Sequence, residues 1–155
     1  MRSHHFDITS LLGAVKAYNF IQPTAVTLTM KMRANGRVND LITASANCRH
    51  FLNRLNAKSL GAAAKRYTKK LRTFAVIERN AEGRLHYHMI IDRPAHIAAD
   101  HLSALVREQW LKTDFGYRHI DVQPMTSDGW VSYILKGRQK NGRLLEHIDW
   151  NNCFR

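Results

Sequence analysis

Residues 74–92 read FAVIERNAEGRLHYHMIID. Apolar and β-branched residues flank Asn80-Ala81-Glu82-Gly83, so the stretch predicts a hairpin of two strands, Thr73 to Arg79 and Arg84 to Asp92, with Pro94 closing the second. His86 and His88 are two apart, and in a strand such residues point to one face, so their imidazoles can converge on a single metal ion. Tyr87 must then face the opposite way, into an apolar layer with Leu85, Met89 and Ile91. If Ala81-Glu82-Gly83 is a three-residue loop, a type I turn with Gly83 in the left-handed position of a G1 bulge, Asn80 pairs with Arg84. Glu78 then lies opposite His86 and Val76 opposite His88, which puts a carboxylate on the imidazole face and turns Ile77 into the core. A four-residue loop without the bulge would put Glu78 on the other face, so the reading turns on Gly83. Two imidazoles and one carboxylate leave coordination positions open, which suits Mg²⁺ or Mn²⁺ bound together with a phosphate better than a closed structural zinc.

Working outward from the hairpin, residues 8–18 have helical spacing, Pro23 breaks the chain, and the β-rich run 24–32 ends at the turn signal Asn35-Gly36. From about Asp40, Leu41, Ala44, Cys48, Phe51, Leu52 and Leu55 recur at helical intervals until Gly61. Beyond the hairpin, residues 97–112 place Leu102, Leu105, Val106 and Trp110 on one helical face, and Tyr117 to Gln123 alternates as a strand. Ser127-Asp128-Gly129 can cap a last helix from Trp130 to about Gln139. After a leading helix the order is βαββαβ and then a helix. This is α+β, the ferredoxin-like or RRM-like split βαβ arrangement, with an antiparallel sheet, helices on one face and the other face open for an active site. His50, His96, His101, His119 and His147 are expected to be ordinary satisfied core residues, and Trp110, Trp130 and Trp150 to be packing residues.

The 155 residues carry 24 Lys+Arg against 12 Asp+Glu, a formal charge of +12, and 45% of the chain is apolar. One domain spanning 1–155 with a real core is expected, and fibrous or low-complexity architectures are excluded. No apolar stretch approaches the length of a membrane span, no secretion signal opens the sequence, and two cysteines are too few for a disulfide framework, so a reducing cytoplasm fits. The charge is lopsided: residues 1–80 hold 14 basic and 3 acidic side chains. Lys65, Arg66, Lys69, Lys70 and Arg72 crowd into one connector and read as a phosphate-binding surface for nucleic acid. A passive RNA-binding domain of this topology would present stacking aromatics on its two central strands, whereas this hairpin presents Glu78, His86 and His88.

These features resemble the Rep-type HUH endonucleases, the single-tyrosine nickases that initiate rolling-circle replication of plasmids, phages and small circular DNA elements. His86-Tyr87-His88 is similar to the family's histidine–hydrophobic–histidine motif, Glu78 sits where many Rep proteins have an acidic metal ligand, and Thr27-Leu28-Thr29 resembles the first-strand motif. Tyr133-Ile134-Leu135-Lys136 resembles the YxxK motif, in which tyrosine is the nucleophile and lysine assists at the phosphate; Gly137 leaves no second tyrosine one turn on. The resemblance implies metal-dependent nicking and joining of single-stranded or hairpin DNA at an origin, through a 5′-phosphotyrosine, with Mn²⁺ or Mg²⁺. No GxxxxGK[ST] loop is present, so no helicase domain is expected and unwinding would fall to a separate helicase. A host-cell cytoplasm, or a nucleus for a eukaryotic element, is implied. Single-tyrosine HUH transposases share the same site, and a non-catalytic RRM-like nucleic-acid-binding protein is the remaining alternative. Tyr67-Thr68-Lys69-Lys70 also fits YxxK, but it precedes the metal hairpin, where its tyrosine would stack on a base or pack a helix edge.

Overall fold

The computed structural model describes residues 18–126 and 147–155, together with Gly13, Lys16 and Gly129. The helix expected from Trp130, with Tyr133 and Lys136, lies outside the described residues, as does most of the leading helix.

Strand β1 (Pro23–Met30) is followed by a two-residue hairpin, β2 (Arg33–Ala34) and β3 (Arg37–Val38). Its turn residues Asn35 and Gly36 both have positive φ, 51° and 74°, the pairing that tight hairpins favour. Strand β1 therefore stops at Met30, and the turn signal folds into a hairpin of its own. Helix α1 (Leu41–Leu60) starts where the Asp40 carboxylate accepts the Thr43 N–H at 2.7 Å and ends at Gly61, φ 55°. A short helix α2 (Ala62–Arg66) and the basic connector lead into β4 (Thr73–Arg79) and β5 (Leu85–Asp92). Helix α3 (Ala99–Leu111) and strand β6 (Gly116–Pro124) complete the expected order.

The sheet order is β6-β1-β5-β4-β7, with every neighbouring pair antiparallel and β1 and β5 central, which is the split βαβ arrangement. On one face α1 contributes Ala44, Cys48, Phe51, Leu52 and Leu55, and α3 contributes Leu102, Val106 and Trp110. They pack against Val26, Leu28, Met30, Ala75, Ile77, Tyr87, Met89 and Ile91, so the alternation read along the hairpin holds. Trp110 is fully buried, edge-on to Phe51, and its indole N–H donates to the Thr29 carbonyl at 3.0 Å.

The short strand β7 (His147–Ile148) and a 3₁₀ turn (Trp150–Asn152) add a fifth edge beside β4 that the sequence pattern did not reveal. They are tied down by Asp149, which is only 3% exposed. Its carboxylate accepts from the Tyr87 hydroxyl (2.6 Å), Asn152 Nδ2 (2.7 Å) and Ser45 Oγ (3.1 Å). Tyr87 is thus buried as expected but carries a polar tether, and burial above all pushes its phenol well above the ordinary tyrosine value.

Three expectations fail. Trp150 is 57% exposed, meeting Phe74 only edge-on. His50, His96, His101 and His119 are exposed rather than core residues, because each falls on the polar side of its element or in a loop. The face opposite the helices is also not open along its whole length. Ala25, Phe74, Val76, Ile90 and Ile148 are buried there, with Tyr18 packed edge-on against Phe74 and stacked on Phe20.

Candidate metal centre

The hairpin turn has the expected geometry. Asn80 N–H donates to the Arg84 carbonyl at 2.9 Å, Gly83 N–H donates to the Asn80 carbonyl at 3.0 Å, and Gly83 has φ 86°. The Asn80 side chain reinforces it, its Oδ1 accepting from the N–H groups of Glu82 (3.0 Å) and Arg84 (2.9 Å). The resulting register pairs Glu78 with His86, Ile77 with Tyr87 and Val76 with His88.

Glu78, His86 and His88 consequently converge on one face. Glu78 Oε2 is 2.7 Å from His88 Nε2 and 3.6 Å from His86 Nε2, and one ligand atom from each residue falls within 4.8 Å of the others. The carboxylate is closer to the diagonal histidine than to its direct cross-strand partner, within the reach of a long side chain across a sheet. Hydrogen bonds from His86 and His88 hold the Glu78 carboxyl down at about 2, outweighing the partial burial that would raise it. The side chains are 14–19% exposed, deep enough to fix their positions and open enough to admit a ligand. Two imidazole nitrogens and a carboxylate oxygen, all on regular strands, could hold a divalent cation with positions left for oxygen ligands. No other such group occurs among the described residues.

Strand β1 lies directly alongside: Thr27 pairs with His88 and Thr29 with His86, while Leu28 between them is in the core. The motif-like triplet on β1 therefore brackets the histidines.

The basic connector is elsewhere. Lys65, Arg66, Lys69 and Lys70 are exposed, and Arg72 is engaged by the Asn19 carbonyl (2.8 Å) and by Asp92 (3.9 Å). The connector meets β4 at Thr73, and at ~3.3 Å per residue Glu78 is roughly 17 Å further along the strand. Tyr67 in this connector is 70% exposed. At the metal end the sequence reading missed Arg84, whose guanidinium donates to the Met30 carbonyl at 2.9 Å and lies over the Tyr117 ring. The available signal was its place two residues before His86, on the same face of β5.

A family model, replication-associated protein ORF2/gene II protein, matches residues 23–142. The chain belongs to this family. The match supports a Rep-type protein, because the family is one of rolling-circle replication initiators, and it spans β1 to β6, the three converging residues, Tyr133 and Lys136. No curated protein and no solved structure matches the chain. Among the described residues no helix is long and apolar enough to cross a membrane.

Proposed function

We propose that this member of the replication-associated protein family is an HUH-type endonuclease that nicks and rejoins single-stranded DNA at an origin to initiate rolling-circle replication. The observation that carries the reading is the convergence of Glu78, His86 and His88 on one sheet face in a protein of a replication-initiator family. A divalent cation bound there, Mn²⁺ or Mg²⁺, would polarise the P–O bonds of the scissile phosphate.

The chain's own groups supply the rest. Glu78, ionised at all working pH values, contributes the negative charge that a dication requires, and the imidazoles contribute neutral donors. Tyr133 is the nucleophile: its phenolic oxygen gives up its proton and bonds to phosphorus as the P–O bond to the departing 3′ oxygen breaks. The products are a 5′-phosphotyrosyl ester and a free 3′-hydroxyl. The ester retains the phosphodiester bond energy, so a 3′-hydroxyl can attack it, release the phenol and join strands. Lys136 neutralises charge developing at the phosphate.

The sheet topology supports bringing Tyr133 to this face. Strand β6 ends at Pro124 on one edge and β7 begins at His147 on the other, while α1 and α3 occupy the helical face. A connection between the two edges then has the metal face to cross.

The test is incubation with single-stranded oligonucleotides from the element's own origin and Mn²⁺, followed by mass spectrometry of the protein. A nucleotide adduct on Tyr133, absent in Tyr133→Phe and retained in Tyr67→Phe, is the expected result. An adduct on any other tyrosine, or full cleavage in EDTA, overturns the assignment.

A further inference from the structure

Strand β6 does not pair evenly with β1. Leu28 pairs with Ile120 and Met30 with Gly116, so Tyr117, Arg118 and His119 together stand opposite Thr29 alone. This bulge lies in the row of the metal centre, because Thr29 pairs on its other side with His86. Bulges of this kind re-aim side chains beside active sites. Here the re-aimed groups cluster: the Tyr117 and His119 rings meet at 4.9 Å, and the guanidinium carbons of Arg84 and Arg118 lie 4.8 and 5.7 Å from the Tyr117 ring centre. All belong to the metal face. Arg84 alternates with His86 along β5, and Asp121, two residues after His119, pairs with Thr27, which pairs with His88. Two strand spacings, roughly 10 Å, separate the bulge from His86.

We propose that Tyr117 and His119, flanked by Arg84 and Arg118, form a nucleobase-stacking platform that seats one base of the single strand beside the scissile phosphate. The inference rests on the nickase reading for its substrate and adds how the strand is positioned. The cluster combines π faces with guanidinium planes, the two surfaces on which unpaired bases stack. It contains no carboxylate, and the acids nearest in sequence are otherwise engaged: Asp114 with Arg37 at 3.7 Å, and Asp121 with Gln123 Nε2 at 3.1 Å. Positive charge is therefore left for a phosphate, while the rings take the base. His119 is exposed and Tyr117 half-buried, so a ligand can reach both. A platform on an edge strand, one strand removed from the histidines, holds the nucleotide neighbouring the reacting phosphate rather than the reacting phosphate itself.

Stacking is read by removing bases without removing phosphates. In EDTA, where cleavage is silent, the full-length protein is titrated by fluorescence anisotropy with an oligothymidylate of about 20 nucleotides and with an abasic strand of the same length. The wild type should bind the base-bearing strand about 10-fold or more tightly, since one aromatic stack accounts for that much. Tyr117→Ala and His119→Ala should each lose most of this ratio while keeping the salt dependence of abasic binding, and Tyr117→Phe should retain it. Because His119 is exposed, its alanine variant keeps the test decisive should Tyr117→Ala unfold. Equal affinity of the wild type for both strands, or an unchanged ratio in both alanine variants, overturns the platform. Adduct formation by the wild type in Mn²⁺ is the separate readout for nicking, so either idea can fail alone.

Discussion

Gly83→Ala separates what the turn does from what the core does. Gly83 sits at φ 86°, and no atom lies within 4 Å of where an added Cβ would stand. The substitution therefore costs only the strain of a left-handed backbone, about 1–2 kcal/mol. Against this stands the core's hold on the register. A one-residue slip of the hairpin would turn Ile77, Tyr87, Met89 and Ile91, all 0% exposed, away from the helices. At ~1.5–3 kcal/mol for each side chain, the slip costs at least about 6 kcal/mol, several times the turn strain. Strand β5 is held from its other side as well, paired to β1 from Pro23–Asp92 to Thr29–His86. The core should win. The expected result is a loss of about 1–2 kcal/mol in urea unfolding with Mn²⁺ affinity, by titration calorimetry, unchanged within about 3-fold, equivalent to less than ~1 kcal/mol. A collapse of Mn²⁺ binding in a variant that stays folded would show that the turn, and not the buried layer, sets the register, and would refute the reasoning.

Three further expectations follow from the same geometry. His88→Ala and Glu78→Gln should each weaken Mn²⁺ binding by more than the ~10–100-fold typical of losing an outer partner, with the fold intact by circular dichroism; because Glu78 stays ionised until the pH approaches 2, protonation of the imidazoles sets the acid limit of metal binding, and near-normal affinity in Glu78→Gln would count against the site. Replacing Lys65, Arg66, Lys69 and Lys70 with Gln should flatten the salt dependence of single-strand binding by roughly 0.7 log units per lost phosphate contact, and an unchanged slope would remove the basic connector from the interface. Tyr87→Phe withdraws the hydroxyl from the buried Asp149 carboxylate and should cost about 1.5–3 kcal/mol in urea unfolding; a loss below ~0.5 kcal/mol would mean that the donors from Ser45 and Asn152 suffice.

The parts that were legible in the sequence depend on short-range rules. Alternation places Tyr87, Ile77 and Met89, helical spacing places Phe51, Leu52 and Trp110, and Asn80 with Gly83 fixes a turn that fixes the register of Glu78 against His86. The parts that were not legible depend on departures from those rules. Two residues, His147 and Ile148, are too few to show a strand period, and a buried Asp149 looks like a surface acid until its donors are seen. The bulge on β6 breaks the alternation that would have put Tyr117 and His119 beside the site, so His119 read as a core residue. The basic connector is a local cluster in sequence, and its distance from the histidines appears only once the direction of β4 is known.

The two ends of the metal face have opposite characters, and that asymmetry constrains how DNA can lie on it. Along β4 the same face carries Phe74 and Val76, both buried, and then Glu78; along β5 it carries His86 and His88 and then the buried Ile90. His88 is at the boundary, paired with Val76 on one side and Thr27 on the other. Beyond it Tyr18 and Phe20 belong to the buried layer, which closes the approach from that end. The other end opens toward Arg84, Tyr117 and Arg118. A phosphate therefore enters from the hairpin end, past guanidinium groups, and meets the imidazoles before the apolar layer. A strand that also reaches the basic connector must span the buried layer over the roughly 17 Å length of β4, so only a substrate extending well beyond the scissile step can engage both regions at once. Short oligonucleotides should then depend on Arg84 and Tyr117 alone, and longer ones on Lys65, Arg66, Lys69 and Lys70 in addition.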